Sequence, residues 1–310
     1  MNTLSEEGLQ KAYLLLKKGN PEHAKLVLEE ALSYDLEGQE ILQTLKCATY
    51  WADKLQRISF LPEPFERGES IITQWKLFSN FIVINGITHE EGIYATKMGV
   101  FSKAVDYFQQ LLRDRGIIQK REIYVRLGIC YKKLGDYEKA LSYLVEANAK
   151  ENTSPLILAE MADCYALCGE DKIAKVLFRE AFFIDAQKVD ILLLESDLFL
   201  NLKENVEKLG FRQNELAEWI PVYGVLLGVF TVKRELKAVE FARLKQNIYT
   251  LENELREVEN DSLLLTPRLL NHYFWLIDYY TTQRDSNTKI HEVLLKIKLL
   301  DSDIYEKYTI

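Results

Sequence analysis

Residues 135–140 and 169–174 carry one pattern twice, 34 positions apart. Gly135-Asp136-Tyr137-Glu138-Lys139-Ala140 aligns with Gly169-Glu170-Asp171-Lys172-Ile173-Ala174. Upstream, Tyr124, Leu127, Gly128 and Tyr131 align with Leu158, Met161, Ala162 and Tyr165; downstream, Leu144 and Ala147 align with Phe178 and Ala181. Two partial copies precede them. Gly19-Asn20-Pro21 leads to Ala24, Leu28 and Ala31, and Gly99 leads to Phe101, Ala104, Phe108 and Leu111. A period of this length marks stacked units, each too small to bury its own apolar face.

The spacing has a physical origin. Each period holds two antiparallel helices of about a dozen residues. The glycine ends the first helix in a left-handed conformation, and the polar residue after it caps the second. Pro21 then takes the first helical position of its copy. Small residues such as Gly128 and Ala140 sit where the two helices cross, and the aromatics and leucines fill the seam to the next pair.

This arrangement resembles the tetratricopeptide repeat family, with Tyr124 in the slot where the pattern has Trp. The resemblance implies an all-α, right-handed α-solenoid that is non-catalytic and grips a protein or peptide on its concave face. It places repeats near 5–37, 85–118, 121–154 and 155–188, with a degenerate pair at 38–84, giving a solenoid over 1–187. The step from Gly19 to Gly99 exceeds two repeats by 12 residues, and the proline-containing stretch 57–67 is expected to hold them as an enlarged loop. In this family the first helix of each pair lines the groove. The candidates are Tyr13 and Lys17 in the first copy, Ile93 and Lys97 in the weak one, Glu122, Val125, Arg126, Ile129, Lys132 and Lys133 in the third, and Asp163 in the fourth. Leu9 and Tyr13 stand where chaperone-binding members place a Lys/Asn clamp, which disfavours capture of a chaperone's terminal carboxylate. Arg126, Lys132 and Lys133 beside Val125 and Ile129 suit an acidic or amphipathic peptide.

After Lys188 the pattern fades while helical periodicity continues through 189–310. Ile191 to Leu202 is apolar almost all round and reads as a buried helix. Residues 234–259 read as one long helix. Its seam of Phe241, Leu244, Ile248, Leu251, Leu255 and Val258 is spaced 3,4,3,4,3. Its first half is basic and its second half acidic. That order suits either an antiparallel copy of itself, hence a homodimer, or the helix at 269–280 of the same chain.

No catalytic motif occurs. The four histidines, His23, His89, His272 and His291, have no Asp or Cys at a diagnostic spacing, and the four cysteines form no CxxC, so neither a metal nor a cofactor is expected. The aromatic run around His272 reads as core. With 39 basic against 47 acidic residues the chain carries a net charge of −8, which argues against non-specific binding to nucleic acid or anionic membrane. No apolar run reaches the length of a membrane span, and no secretory signal is evident. The expectation is a binding scaffold in a bacterial cytoplasm. The alternatives are self-assembly through 234–259, and a ligand sensor or enzyme with a pocket between the repeats and the C-terminal helices.

Overall fold

A computed structural model describes residues 3–113, 120–149, 154–257, 261–283 and 287–309. Among them the fold is all-α, without a strand. The chain divides into two compact units, 1–150 and 151–310. The expected solenoid boundary at 187 therefore falls inside the second unit.

The first unit opens with a hairpin of α1 (Thr3–Lys17) and α2 (Pro21–Tyr34) and closes with a second of α6 (Lys120–Lys133) and α7 (Tyr137–Asn148). Between them lie three longer helices, α3 (Gln39–Ser59), α4 (Pro64–Ile84) and α5 (Glu90–Leu112). Both hairpin turns follow one construction. Gly19 and Gly135 have φ of +69° and +81°. The N–H of each glycine bonds the carbonyl three residues back, and the next N–H bonds the carbonyl five back, at 2.8–3.0 Å. That is the double bond of a Schellman end. Asn20 and Asp136 then accept the backbone N–H of His23 and Lys139, capping the second helix.

Gly99 breaks this rule. Residues 90–112 form a single 23-residue helix, not the hairpin expected over 85–118. The residue after Gly99 is Val100, which cannot cap a new helix, and Ala95, Val100, Phe101, Ala104 and Phe108 continue one buried stripe through it. Gly99 instead permits a crossing. A Cβ there would lie 1.8 Å from the Leu16 carbonyl oxygen and 2.7 Å from Gly19 N. Helix α5 thus packs directly on α1, and also on α3, α4 and α6. The 12 extra residues lie in helices α3 and α4, of 21 residues each, since the chain outside helices between them is only 60–63. Pro64 starts α4 as its first residue. Of the apolar side chains in this segment, Phe65 packs edge-on to Phe108 while Phe60 is exposed. Trp51, Trp75, Phe78 and Phe101 interlock as the core, with ring centroids 5.3–6.2 Å apart.

The second unit begins with the hairpin of α8 (Pro155–Leu167) and α9 (Asp171–Asp185), closed by Gly169 at φ +82° with the same bond pair. A 3-10 turn (Ala186–Lys188) leads to α10 (Asp197–Lys208), α11 (Gln213–Leu226), α12 (Ala238–Glu254), α13 (Ser262–Thr282), α14 (Asn287–Leu300) and α15 (Ser302–Thr309). The apolar run from Ile191 does not start a helix. Leu193 and Leu194 are buried in an irregular segment, and α10 begins only at Asp197.

Helix α12 is shorter than the 234–259 expected for it, and Val258 and Glu259 lie outside the described residues. Residues 233–237 stay non-helical because ion pairs hold them. Lys233 pairs with Asp278 at 2.7 Å, and Arg234 bridges Glu180 and Glu240 at 2.8 and 2.9 Å. Arg179 meets the same Asp278 and donates to the Val232 carbonyl. The heptad seam packs on α13 of the same chain. Leu244, Ile248 and Leu251 are buried there, and Phe241 stacks on Tyr279 with centroids 3.8 Å apart. The middle of the seam is thus covered by α13 of the same chain.

Candidate functional site

The residues nominated as a groove turn mostly inward. Tyr13 is buried, stacks on His89 at 5.9 Å and hydrogen-bonds its ring. Burial, with Glu91 and Glu40 nearby, pushes its phenol up to about 12. Gln43 accepts the backbone N–H groups of Thr88 and His89 at 2.7 and 2.8 Å, fixing the start of α5 over that ring. On α6, Val125, Ile129, Lys132 and Lys133 are all buried, Lys132 completely. Arg126 is paired with Glu69 of α4. The basic strip is therefore not a solvent-facing surface. Asp163 is also buried, and it accepts the backbone N–H groups of Glu195 and Ser196 at 2.9 Å each, capping the approach to α10. Lys17 and Glu122 remain exposed and Ile93 and Lys97 half-exposed, with Lys17 over the Tyr94 ring.

The polar groups that do converge lie in the second unit. A cleft of about 420 Å³ opens where the end of α9 and the 3-10 turn meet α11, α12 and α13. Glu218 of α11 sits in its wall with a side chain only 2% exposed. Arg268 of α13 donates to it through Nε at 3.3 Å and through Nη2. Gln187 Nε2 donates to the same carboxylate at 3.0 Å and to the Asn214 carbonyl at 2.9 Å. The Glu218 hydrogen bond holds the Arg268 guanidinium above its ordinary pKa. One turn along α13, His272 Nδ1 donates to the Arg268 carbonyl at 2.8 Å. Burial lowers that imidazole to about 4, so it is neutral near pH 7. Phe183 lies beside it, 5.2 Å from the His272 ring and stacked on Trp275 at 4.3 Å. Asp185 and Glu254 complete the rim.

The tetratricopeptide repeat family model matches residues 9–37 and 122–148, the segments of the α1/α2 and α6/α7 hairpins. The chain carries tetratricopeptide repeats in these segments. Its α8/α9 hairpin repeats the same turn construction. No curated protein matches the chain. Tetratricopeptide repeats generally serve as protein-interaction scaffolds.

In this repeat protein the cleft lies where α9 of a repeat hairpin meets helices outside the pattern, which is why the repeat register did not lead to it. The sequence did carry a weaker signal. Glu218 interrupts the apolar run from Leu216 to Tyr223, and His272 does the same in α13. A charged residue inside an apolar helix marks a buried pair. Its partner, 50 residues away, is visible only in the fold. Among the described residues no three His, Cys, Asp or Glu gather as a metal site, and no helix is long and apolar enough to cross a membrane.

Proposed function

We propose that this tetratricopeptide repeat protein is a non-catalytic binding module that holds a segment of another protein in the cleft of its second unit. The observation that carries the reading is the cleft itself, where a repeat helix and three non-repeat helices bring Glu218, Arg268 and His272 together at an accessible opening. Ligand sites are typically concave, with a few convergent polar groups. The same groups favour binding over proton transfer. Glu218 is held by Arg268 and Gln187, and an imidazole lowered to about 4 is a weak base at neutral pH. The reading places the protein in a cytoplasm. Four cysteines outside any disulfide, three of them buried, suit a reducing compartment.

A photo-crosslinking residue at Thr250, on the cleft rim, tests this in the native cell. The expected result is a discrete adduct with one protein, absent when the crosslinker replaces Leu299, which is 88% exposed but does not line the cleft. A folded Thr250 variant that yields no adduct refutes the reading.

A further inference from the structure

The first unit carries an opening of a different kind. The first half of α3 lies against the second half of α4, where the Tyr50 ring packs on Phe78 and Phe81 with centroids 5.0 and 4.8 Å apart. Beside that contact runs a groove of about 400 Å³, lined by Leu42, Leu45, Lys46, Thr49, Tyr50 and Phe81. The apolar lining follows helical spacing on both walls. Leu42, Leu45 and Thr49 fall at i, i+3 and i+7 of α3, and Leu77, Phe81 and Ile84 at i, i+4 and i+7 of α4. Leu77 is 51% exposed and Ile84 82%, so the α4 stripe runs out into solvent at both ends.

The walls decide what can lie there. Both are helices, whose backbone bonds are internal, so the groove presents side chains and no free strand edge. An extended segment would lay its own N–H and C=O groups against apolar side chains without partners. A helix satisfies its backbone internally and offers a side-chain stripe of matching period.

Charge decides what the occupant carries. No carboxylate lines the groove. Lys46 is exposed at its edge, and its neighbours one turn away on α3, Leu42, Gln43, Thr49 and Tyr50, include no acid. Lys54 lies two turns further on, with Nζ over the Tyr50 ring at 5.5 Å. Its neighbour Asp53 is shared with Arg57. A second copy of this chain would set the two lysines against themselves across a two-fold axis. The six lining residues also fall well short of the roughly 20–30 a side of a standard interface between folded proteins.

We propose that the α3/α4 groove docks an amphipathic helix of a partner protein, its apolar stripe against Leu42, Leu45, Tyr50 and Phe81 and an acidic flank over Lys46 and Lys54. The inference goes beyond the cleft of the second unit and does not depend on it.

The test uses the full chain as bait for a phage-displayed library of helices of about 16 residues. One face carries Leu, Ile, Met or Phe, and the flanking positions vary among Glu, Gln and Lys. A parallel library carries proline at its centre, which breaks the helix. Binders should emerge from the first library, with Glu on the flank, and the strongest is followed as a synthetic peptide by calorimetry. Lys46→Glu alters an exposed side chain and should weaken binding about fivefold at low salt and less at high salt. The matched peptide with Lys in place of Glu should regain affinity for that variant. Leu42→Gln should weaken both peptides about tenfold, with circular dichroism showing the fold intact. No enrichment of the helical library overturns the proposal, as does equal enrichment of the proline library or an unchanged affinity for Lys46→Glu. A concentration-dependent dimer that Leu42→Gln abolishes assigns the groove to a second copy and overturns it as well. The Thr250 crosslink reports on the second unit alone, so failure of either experiment leaves the other reading standing.

Discussion

The crossing at Gly99 allows a quantitative test of how the first unit is built. In Gly99→Ala the new Cβ would sit 1.8 Å from the Leu16 carbonyl oxygen and 2.9 Å from Gly19 Cα. Carbon–oxygen contacts ordinarily settle near 3.3 Å, so the end of α1 must retreat by about 1.5 Å. Overpacking that flexible side chains can absorb costs about 1–3 kcal/mol. Here the opposing atoms are backbone, held by the Schellman bonds of Gly19, so a loss of about 3–4 kcal/mol is expected. That is a large share of a typical domain stability of 5–15 kcal/mol. A helical Gly→Ala change with open space would instead gain up to about 1 kcal/mol, so the sign alone reports the clash. A second variant separates this account from a hairpin turn at Gly99. At a left-handed turn Asn is better tolerated than Ala. At a helix crossing Asn is the larger residue and does more damage. Urea unfolding followed by circular dichroism and by Trp51 and Trp75 emission gives the order. Asn less harmful than Ala, or an Ala cost below about 1 kcal/mol, refutes the crossing.

The second unit should lose stability as acid is added, through His272. Its folded pKa of about 4 lies below the ordinary 6.5, so the unfolded chain binds the extra proton between those values and stability falls as pH drops from 6.5 to 4. The contribution at stake is about 3 kcal/mol, and His272→Phe should flatten that part of the pH profile of urea midpoints. Arg179→Met leaves buried Asp278 with only the exposed Lys233; a loss of about 3 kcal/mol, with faster tryptic cleavage after Lys233 and Arg234, is expected. Unchanged cleavage would show that the ion pairs do not hold 233–237. Gly135→Ala and Gly169→Ala meet no atom within 4 Å but keep φ near +80°. Each should cost about 1–2 kcal/mol by strain alone, measured in the same urea series.

What the sequence disclosed, and what it hid, divides along local and non-local physics. The three true hairpin turns were legible because every requirement is local: a glycine for positive φ, a polar cap or proline next, small residues at the crossing. Gly99 imitated the first of these and failed the second, since Val100 follows it where Asn20, Asp136 and Glu170 follow the others. The end of α12 was misplaced for the opposite reason. Helical periodicity runs on through Arg234, but Glu180, Glu240 and Asp278 compete for the same cations and hold the backbone away from the helix. Two of those acids lie more than 40 residues from Arg234, beyond the reach of any window of periodicity.

Most of the groove candidates turn inward, against a premise about neighbours. Assigning a concave face to the first helix of each pair assumes that what comes next is another short hairpin, which leaves that face open. In the first unit the next hairpin is replaced by α3, α4 and α5, and α5 lies on α1 over Tyr13. A face designed to pack or to bind looks the same in one sequence, because both need apolar residues with a few polar groups. The fold separates them by satisfaction. Asp163 accepts a backbone N–H on each carboxylate oxygen, and Arg126 is paired with Glu69, so both are engaged within the chain. Among the described residues, His272 in the second unit has its one hydrogen bond through Nδ1, to the Arg268 carbonyl. By that criterion one place to look for a partner of this protein is the junction of α9 with α11 to α13, and the groups that recognise it come from helices that the repeat pattern does not describe.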